Sequence, residues 1–261
     1  KTEKVNKVLL LFFNLFLVFS SFSQQSNSTF GKSFMLNFEK NNHLISNNIH
    51  TSNKPYLFSN QDSVIVNKEG KWINRKWNSE NFVQEQKNDY SLTLNPVLDL
   101  EIGKEFGNEK TIYTNTRGII AEGKLGNRFT FYSSFLENQS VFPSYITNSI
   151  VKKEWIVPGQ GKSKWSSDST FDYAMASGHF TYQLSKFSTL QFGHGKNFIG
   201  DGYRSLILSD VAFNYPYLRL QTSAGIFQYT NLYMQHMDVS SDLLSFYSYD
   251  RKYASLHHLS T

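Results

Sequence analysis

Apolar and polar residues alternate along most of the chain after residue 90, and this alternation predicts β-strands. Between Leu92 and Ile102 every second residue is apolar or proline, whereas Thr93, Asp99 and Glu101 belong to the other set. A strand places two such sets on opposite faces. The run from 91 to 102 is long enough to cross a membrane, because a transmembrane strand needs about 9 to 11 residues.

The same alternation predicts seven further strands, which makes eight. They cover 111–125, 128–136, 173–184, 189–198, 215–223, 226–237 and a last strand that begins near Tyr253. Tight turns are predicted at 126–127, 185–188 and 224–225, and they alternate with long connections at 137–172, 199–214 and 238–252. Short turns alternating with long loops are typical of outer-membrane β-barrels. A soluble β-sandwich with irregular loops is the alternative that this pattern leaves open.

Helices are predicted at two places. Phe30, Phe34 and Phe38 have the three-to-four spacing of a short amphipathic helix within 26–48, and 143–153 favours a second helix inside the first long connection. The Pro158-Gly159 pair predicts a turn further along that connection. The polar stretch at 47–90 is predicted to be irregular, with one short strand or helix.

The first 23 residues have the organisation of a secretory signal peptide. Three lysines in the first seven residues precede an apolar stretch at 8–19 and small residues at 20–23. An N-terminal anchor is the alternative, but a spanning helix needs roughly 20 apolar residues and this stretch is shorter. We expect three regions: a signal peptide at 1–23, an N-terminal periplasmic segment at 24–89 and an outer-membrane β-barrel at 90–261.

The amino-acid composition excludes several classes of protein and of binding site. The formal net charge is +5, and it falls to +3 without the three lysines and one glutamate of the predicted signal peptide, which is too small a bias for a nucleic-acid-binding protein. Aromatic residues make up 16% of the chain and charged residues only 18%, which suits short amphipathic strands with aromatic girdles. A mean hydropathy of −0.42 fits a barrel with a polar interior. The chain has no cysteine, which excludes disulfides, thiolate metal sites and lipid attachment through cysteine.

No enzymatic or metal-binding motif is present. Gly161-Lys162-Ser163 resembles the end of a phosphate-binding loop, but Ile156 stands where that motif requires a glycine. None of the seven histidines has metal-ligand spacing. Serine and asparagine are so abundant that a possible combination of serine, histidine and asparagine is no evidence for a hydrolase. We therefore predict no catalytic residue, no metal and no cofactor.

Polar and aromatic residues of the kind that bind sugars cluster in and after the connection at 199–214. Sugar rings stack on aromatic faces, and sugar hydroxyls pair with carboxylates, amides and guanidinium groups. The candidate polysaccharide-binding residues are Asp201, Tyr203, Arg204, Asp210, Asn214, Tyr215 and Tyr217. The alternative is structural: Arg204 pairs with Asp201 or Asp210, and the tyrosines form an interfacial belt.

The longest distinctive motif is GHGKNFIGDGYRSLILSD at 193–210, followed by AFNYPYLRLQT at 212–222. Supporting segments are Leu94-Asn95-Pro96-Val97, Asn115-Thr116-Arg117-Gly118, residues 48–55, and Lys252-Tyr253 leading to His257. With these motifs the chain resembles the Wzi-type capsule-assembly family of outer-membrane proteins, especially its gliding-motility relatives of the RemB kind. The resemblance covers nearly the whole chain after the signal peptide.

The resemblance implies an outer-membrane β-barrel with an N-terminal periplasmic part. It also implies a non-enzymatic role in the assembly or attachment of capsule or surface polysaccharide, with a link to surface adhesion or gliding motility. The expected partners are outer-membrane lipid and surface polysaccharide, with no nucleic acid; the sequence identifies no protein partner. The alternatives are a porin-like solute channel and a secreted, soluble carbohydrate-binding β-sandwich.

Barrels of that family have many more strands than eight, and the alternation that begins at Tyr253 shows no closing signal. We therefore expect an incomplete, N-terminal part of an antiparallel barrel, in which the sheet stays open. The expected free edges are the strand at 92–102 and the strand at 253–261.

Overall fold

The computed structural model of the protein describes residues 25–27, 50–59, 71–72, 75–76, 80–107, 110–153, 155–165, 169–238 and 250–261. The predicted signal peptide lies outside these ranges, and so does nearly all of the predicted helix at 26–48. Within the described residues, no helix has the combination of length and apolar character that a membrane-spanning helix requires.

The described residues are mostly β-structure. The first four strands are β1 (Gln25–Asn27), β2 (Asn53–Lys54), β3 (Leu57–Ser59) and β4 (Val83–Gln86). The long strands that follow are β5 (Tyr90–Lys104), β6 (Thr111–Leu125) and β7 (Phe129–Val141). The next connection holds helix α1 (Ser144–Lys152) and the short strands β8 (Ile156–Val157), β9 (Gly161–Lys162) and β10 (Lys164–Trp165). The remaining strands are β11 (Phe171–Gln183), β12 (Ser188–Gly195), β13 (Phe198–Ile199), β14 (Tyr215–Ala224), β15 (Phe227–Asp238) and β16 (Asp250–Ser260).

One antiparallel sheet contains all the long strands, in the order β16-β15-β14-β12-β11-β7-β6-β5-β4, with β10 pairing β11. Each long strand lies beside the long strand that precedes it in sequence, as a meander of hairpins requires. All eight predicted long strands are confirmed, and β6 has the predicted bounds. The helix predicted at 143–153 is confirmed as α1, and a turn at Pro158-Gly159 connects β8 to β9.

The predicted strand at 189–198 is shorter in the structure. β12 ends at Gly195, and Phe198 and Ile199 form the separate strand β13, which pairs β2 instead of the large sheet. The cause is a change of partner, because the chain turns over the sheet after Gly195 and meets Asn53 and Lys54.

The sheet is open among the described residues, since the path of paired strands ends at β16 on one side and β4 on the other. The free edge expected at 92–102 is only half correct. β4 pairs the first part of β5, from Ser91 to Leu94, so only the later part of β5 is an edge. β16 is the other edge, as expected.

The two faces of the sheet have opposite chemistry. Cross-strand neighbours on one face include Phe180, Phe192 and Leu218, whose exposed fractions are 56%, 58% and 39%. The next residues along the same strands, Thr181, Gln191 and Arg219, lie on the other face and are each 2% exposed. We call the first the apolar face and the second the polar face. The buried polar side chains of the polar face are those of Thr130, Ser134, Ser140, Thr181, Gln183, Thr189, Gln191, Arg219, Gln221 and Thr230.

A small apolar cluster organises the connection between β7 and β11. Ile150 of α1, Val157 and Phe171 are buried together, and Trp155 packs against them. Glu105 accepts hydrogen bonds at the start of α1 from the backbone N–H and hydroxyl of Ser144, at 3.1 and 2.7 Å. The long connection is therefore a packed unit with its own core.

Candidate functional site on the polar face

The loop at 196–214 folds back over the polar face of β14 and β15. Leu208 of this loop packs against a buried cluster on that face formed by Tyr215, Tyr217, Leu232 and Met234. This cluster is one of two apolar patches on the polar face, the other being Phe171 and Tyr173 of β11. The loop thus covers the strand that follows it, instead of projecting away from the sheet.

Local hydrogen bonds give the loop its shape. The backbone N–H of Ile199 donates to the carbonyl of Leu208 at 2.9 Å. The Ser205 hydroxyl donates to the Ile199 carbonyl and accepts from the backbone N–H of Ile207 and Leu208. Gly200 has a φ of +147°, a conformation that residues with a Cβ atom rarely adopt. These contacts close residues 199–208 into a compact turn.

Lys196 ties this loop to the β8–β9 hairpin. Its ammonium group donates to the carbonyl of Gly159 at 2.7 Å and to the carbonyl of Asp210 at 3.1 Å. Burial lowers the pKa of Lys196, and the nearby Asp210 offsets part of that effect. Because a half-buried ammonium needs hydrogen-bond acceptors, this contact fixes the spacing of the two loops.

A segment at 50–56 lies between the 196–214 loop and the polar face. Phe198 and Ile199 pair Lys54 and Asn53 in antiparallel fashion, and the backbone N–H of Gly200 donates to the Ser52 carbonyl at 2.7 Å. Asn53 is buried, and its amide donates to the Thr230 hydroxyl at 2.5 Å. The segment therefore contacts both the loop and the sheet.

Arg219 is the centre of this arrangement. It projects from β14 onto the polar face, and its guanidinium donates to the Pro55 carbonyl at 3.2 Å, to Asn53 Oδ1 at 3.2 Å and to Gln221 Oε1 at 2.7 Å. All three of these acceptors are neutral. A buried guanidinium makes several fixed contacts at once, which suits it to hold a segment of backbone against a strand.

Polar side chains continue from Arg219 across the neighbouring strands. The Tyr217 hydroxyl donates to Gln191 Oε1 at 3.1 Å, and the Gln191 amide donates to the Thr181 hydroxyl at 3.0 Å. The chain of hydrogen bonds crosses β14, β12 and β11. Tyr217, Gln191 and Thr181 thus satisfy one another's buried polar groups across three strands of the sheet.

The predicted sugar-binding residues separate into two groups. Asn214, Tyr215 and Tyr217 are buried: the Asn214 amide donates to the Ala176 carbonyl at 2.7 Å, and the Tyr215 hydroxyl accepts from the backbone N–H of Asn197 at 3.0 Å. The two tyrosine rings are covered. The alternative of an interfacial belt is therefore wrong for these two tyrosines.

The second group lies at the surface of the loop. Tyr203 is 73% exposed, and Arg204 Cζ lies 5.8 Å from the centroid of its ring. Asp201 is exposed and accepts a hydrogen bond from the Thr51 hydroxyl at 2.9 Å. Asp210, half-buried, accepts from Ser209. An exposed ring next to a guanidinium and a carboxylate can stack on a sugar ring and pair with its hydroxyls.

Sequence reasoning missed the part that residues 50–56 play in this site. Alternation places Arg219 on the polar face of its strand, but it does not show that Asn53 and Pro55 are its partners. The only signal was the appearance of residues 48–55 among the supporting motifs.

Comparison of the chain with protein-family models, with curated proteins and with solved structures finds no match. Within the described ranges, no three histidine, aspartate or glutamate side chains come together as they would to hold a metal ion.

Proposed function

We propose that residues 90–261 form part of the wall of an outer-membrane β-barrel, with the apolar face against lipid and the polar face toward the lumen. The observation that carries this proposal is the inverted burial of the strands. Phe192 is 58% exposed, whereas its neighbour Gln191 is 2% exposed. A water-soluble protein buries apolar side chains and exposes polar ones, whereas a transmembrane barrel presents its apolar side chains to lipid.

The topology favours a barrel wall over a β-sandwich. A sandwich packs the apolar faces of two sheets against each other. In the described part of the chain the long strands belong to one sheet, and its apolar face has no second sheet against it. The strands are also 8 to 15 residues long, which suits a bilayer crossing.

We propose further that the barrel takes part in the assembly or attachment of surface polysaccharide, without enzymatic activity. The motif at 193–222, which carries the resemblance to capsule-assembly proteins, coincides with the 196–214 loop and strand β14. Among the candidate sugar-binding residues of this motif, Tyr203, Arg204 and Asp201 are exposed, so a polymer can reach them. A role in adhesion or gliding motility is part of the same proposal.

The proposal is tested with the whole protein in its cell envelope. We expect Tyr203→Ala and Arg204→Ala to lower the amount of polysaccharide retained at the surface while the protein still assembles in the outer membrane. A matched control is Tyr145→Ala in α1, which removes another exposed tyrosine, 72% exposed, from a different loop. It should leave retention unchanged.

Three outcomes would contradict the proposal. Unchanged polysaccharide retention in both loop variants would remove the ligand assignment. Steady ohmic conductance in planar bilayers, with no polysaccharide retention, would favour the solute channel. Recovery of the mature protein from culture supernatant without detergent would favour the soluble sandwich.

A further inference from the structure

Arg219 has no access to a ligand, since it is 2% exposed and covered by the 50–56 segment. Yet the segment it holds pairs directly with the loop that carries Tyr203 and Arg204. We propose that Arg219 is a positioning residue: by fixing the 50–56 segment to the polar face, it fixes the 196–214 loop in the arrangement that binds polysaccharide. This inference rests on the function proposed above.

The contacts form a chain with three connections. Arg219 joins the sheet to the segment through Asn53 Oδ1 and the Pro55 carbonyl, both at 3.2 Å. Thr230, on the next strand, makes a second connection to Asn53. The segment then joins the loop through the pairing of β2 with β13.

The loop has other contacts with the segment beyond this pairing. The Lys54 ammonium donates to the Gly200 carbonyl at 3.2 Å, and Thr51 donates to Asp201 at 2.9 Å. These contacts lie within four residues of Tyr203 and Arg204. A shift of the segment would therefore move the exposed part of the loop directly.

Lysine cannot replace Arg219 in this role. One ammonium group is a compact point charge, whereas the guanidinium presents donors in a planar fork that reaches Pro55, Asn53 and Gln221 together. We therefore expect Arg219→Lys to recover only part of what Arg219→Gln loses. A purely electrostatic role would give full recovery with lysine.

The first measurement follows the release of the loop from the segment. Because the chain has no cysteine, Ile199→Cys introduces a single thiol at a site that is 1% exposed, at the pairing of β13 with β2. Its reaction with a water-soluble maleimide reports how often the pairing opens. We expect Arg219→Gln to accelerate labelling about tenfold or more, because hydrogen bonds from a charged donor are lost.

Asn53→Ala breaks the same connection from the segment, outside the long strands, so it tests the inference even if Arg219→Gln fails to assemble. It should also accelerate labelling, and the effect of the double variant should be smaller than the sum of the two single effects, because both changes remove the Arg219–Asn53 hydrogen bond. Lys252→Gln is the matched control: this basic residue also lies on the polar face of a long strand, β16, but it is exposed. Labelling in this control should be unchanged.

The second measurement is polysaccharide retention in the same variants. If Arg219→Gln and Asn53→Ala assemble, label quickly and lose retention as Tyr203→Ala does, the positioning role is supported. If Tyr203→Ala and Arg204→Ala lose retention but labelling of the thiol at position 199 is unaffected by Arg219→Gln and Asn53→Ala, the positioning role is overturned and the proposed function stands. If the loop variants themselves retain polysaccharide normally, the ligand assignment fails.

Discussion

The two ends of the sheet share the same alternation but differ in what covers them. On β14 and β15 the polar face is buried, because the 50–56 segment supplies partners for Arg219 and Thr230 and Leu208 of the 196–214 loop packs beside them. On the later part of β5, Asp99 and Glu101 are exposed, and so are the apolar residues on the opposite face. Burial of the polar face thus depends on local covering segments, whereas the apolar face is exposed at both ends.

The two faces contribute to the stability of the fold in different ways. The contribution of the apolar face depends on the medium around it, and that of the covered polar face depends on particular hydrogen bonds. The stability cost of a substitution on the apolar face should therefore depend on whether lipid surrounds that face. The stability cost of a substitution near Arg219 should depend on which hydrogen bonds it removes.

The largest effect is expected on the apolar face. Leu98→Arg places a charge at a position that is 64% exposed. In a bilayer this should lower the free energy of unfolding by about 2 to 4 kcal/mol if the site lies near the midplane. In a water-soluble sheet an exposed arginine would cost almost nothing. Denaturant titration of the whole protein folded in lipid vesicles measures the change.

Thr93→Arg is the control for this substitution, since Thr93 belongs to the polar set of the same strand. It should cost much less than Leu98→Arg. Equal losses would show that the two faces are assigned the wrong way round.

The face on which each strand residue lies could be predicted from the sequence. The segments that cover the polar face could not. Alternation is a local property, so Leu98 and Thr93 are placed by their neighbours in β5. The contact between Asn53 and Thr230 joins residues 177 positions apart. Nothing in the local pattern encodes such a pairing, and the separate strand β13 follows from it. For the same reason the sequence grouped Tyr215 with Tyr203 as candidate sugar-binding residues, although Tyr215 is buried and Tyr203 is exposed.

A smaller effect is expected where the polar face is tightly packed. A Cβ at Gly193 would lie 2.7 Å from His179 Cβ, 2.8 Å from the Gly178 carbonyl and 2.9 Å from the Tyr217 hydroxyl. Gly193→Ala should therefore lower the free energy of unfolding by about 1 to 3 kcal/mol. The same denaturant titration measures it.

Gly195 offers a matched control on the same strand and face. A Cβ there would have only ordinary contacts, at 3.8 Å from Tyr217 and 3.9 Å from Ser177. Gly195→Ala should change stability by less than about 0.5 kcal/mol. A loss as large as that of Gly193→Ala would mean that close packing is not the cause.

The next effect concerns the covering segment alone. Thr230→Val keeps the shape of a side chain that is 1% exposed but removes the hydroxyl that accepts from Asn53. We expect a loss of about 1 to 2 kcal/mol, because the buried Asn53 amide loses its short hydrogen bond and keeps only the 3.4 Å contact with Gln228 Oε1. Thr222→Val removes a half-buried hydroxyl from the apolar face of β14, where it bonds Ser188, and should cost less than half as much. A larger loss for Thr222→Val than for Thr230→Val would show that the hydrogen bonds of the polar face are not the more important ones.

The smallest effect is a pH dependence at the start of the covering segment. His50 Nδ1 lies 2.8 Å from the Ser260 hydroxyl, and burial, followed by the charge of His258, lowers the pKa of His50 below its ordinary 6.5. The unfolded chain then binds the proton more readily than the folded one. Stability from this site is therefore complete above about pH 6.5 and is lost as the pH falls below it.

The His50→Gln variant isolates this contribution. The difference in unfolding free energy between the protein and this variant should shift against the protein when the pH is lowered from about 7.5 to about 5. A difference that does not change with pH would show that His50 is not responsible.

The most direct test of the central claim compares the two faces of β12 in the membrane. Spin labels are placed one at a time at Phe192→Cys and Gln191→Cys in the whole protein, and their collisions with oxygen and with a water-soluble nickel chelate are measured. We predict that the label at 192 is far more accessible to oxygen, which concentrates in lipid, than to nickel, whereas the label at 191 is shielded from oxygen in lipid. A label at 192 that collides mainly with nickel, or with neither reagent, would contradict the claim that this face contacts lipid.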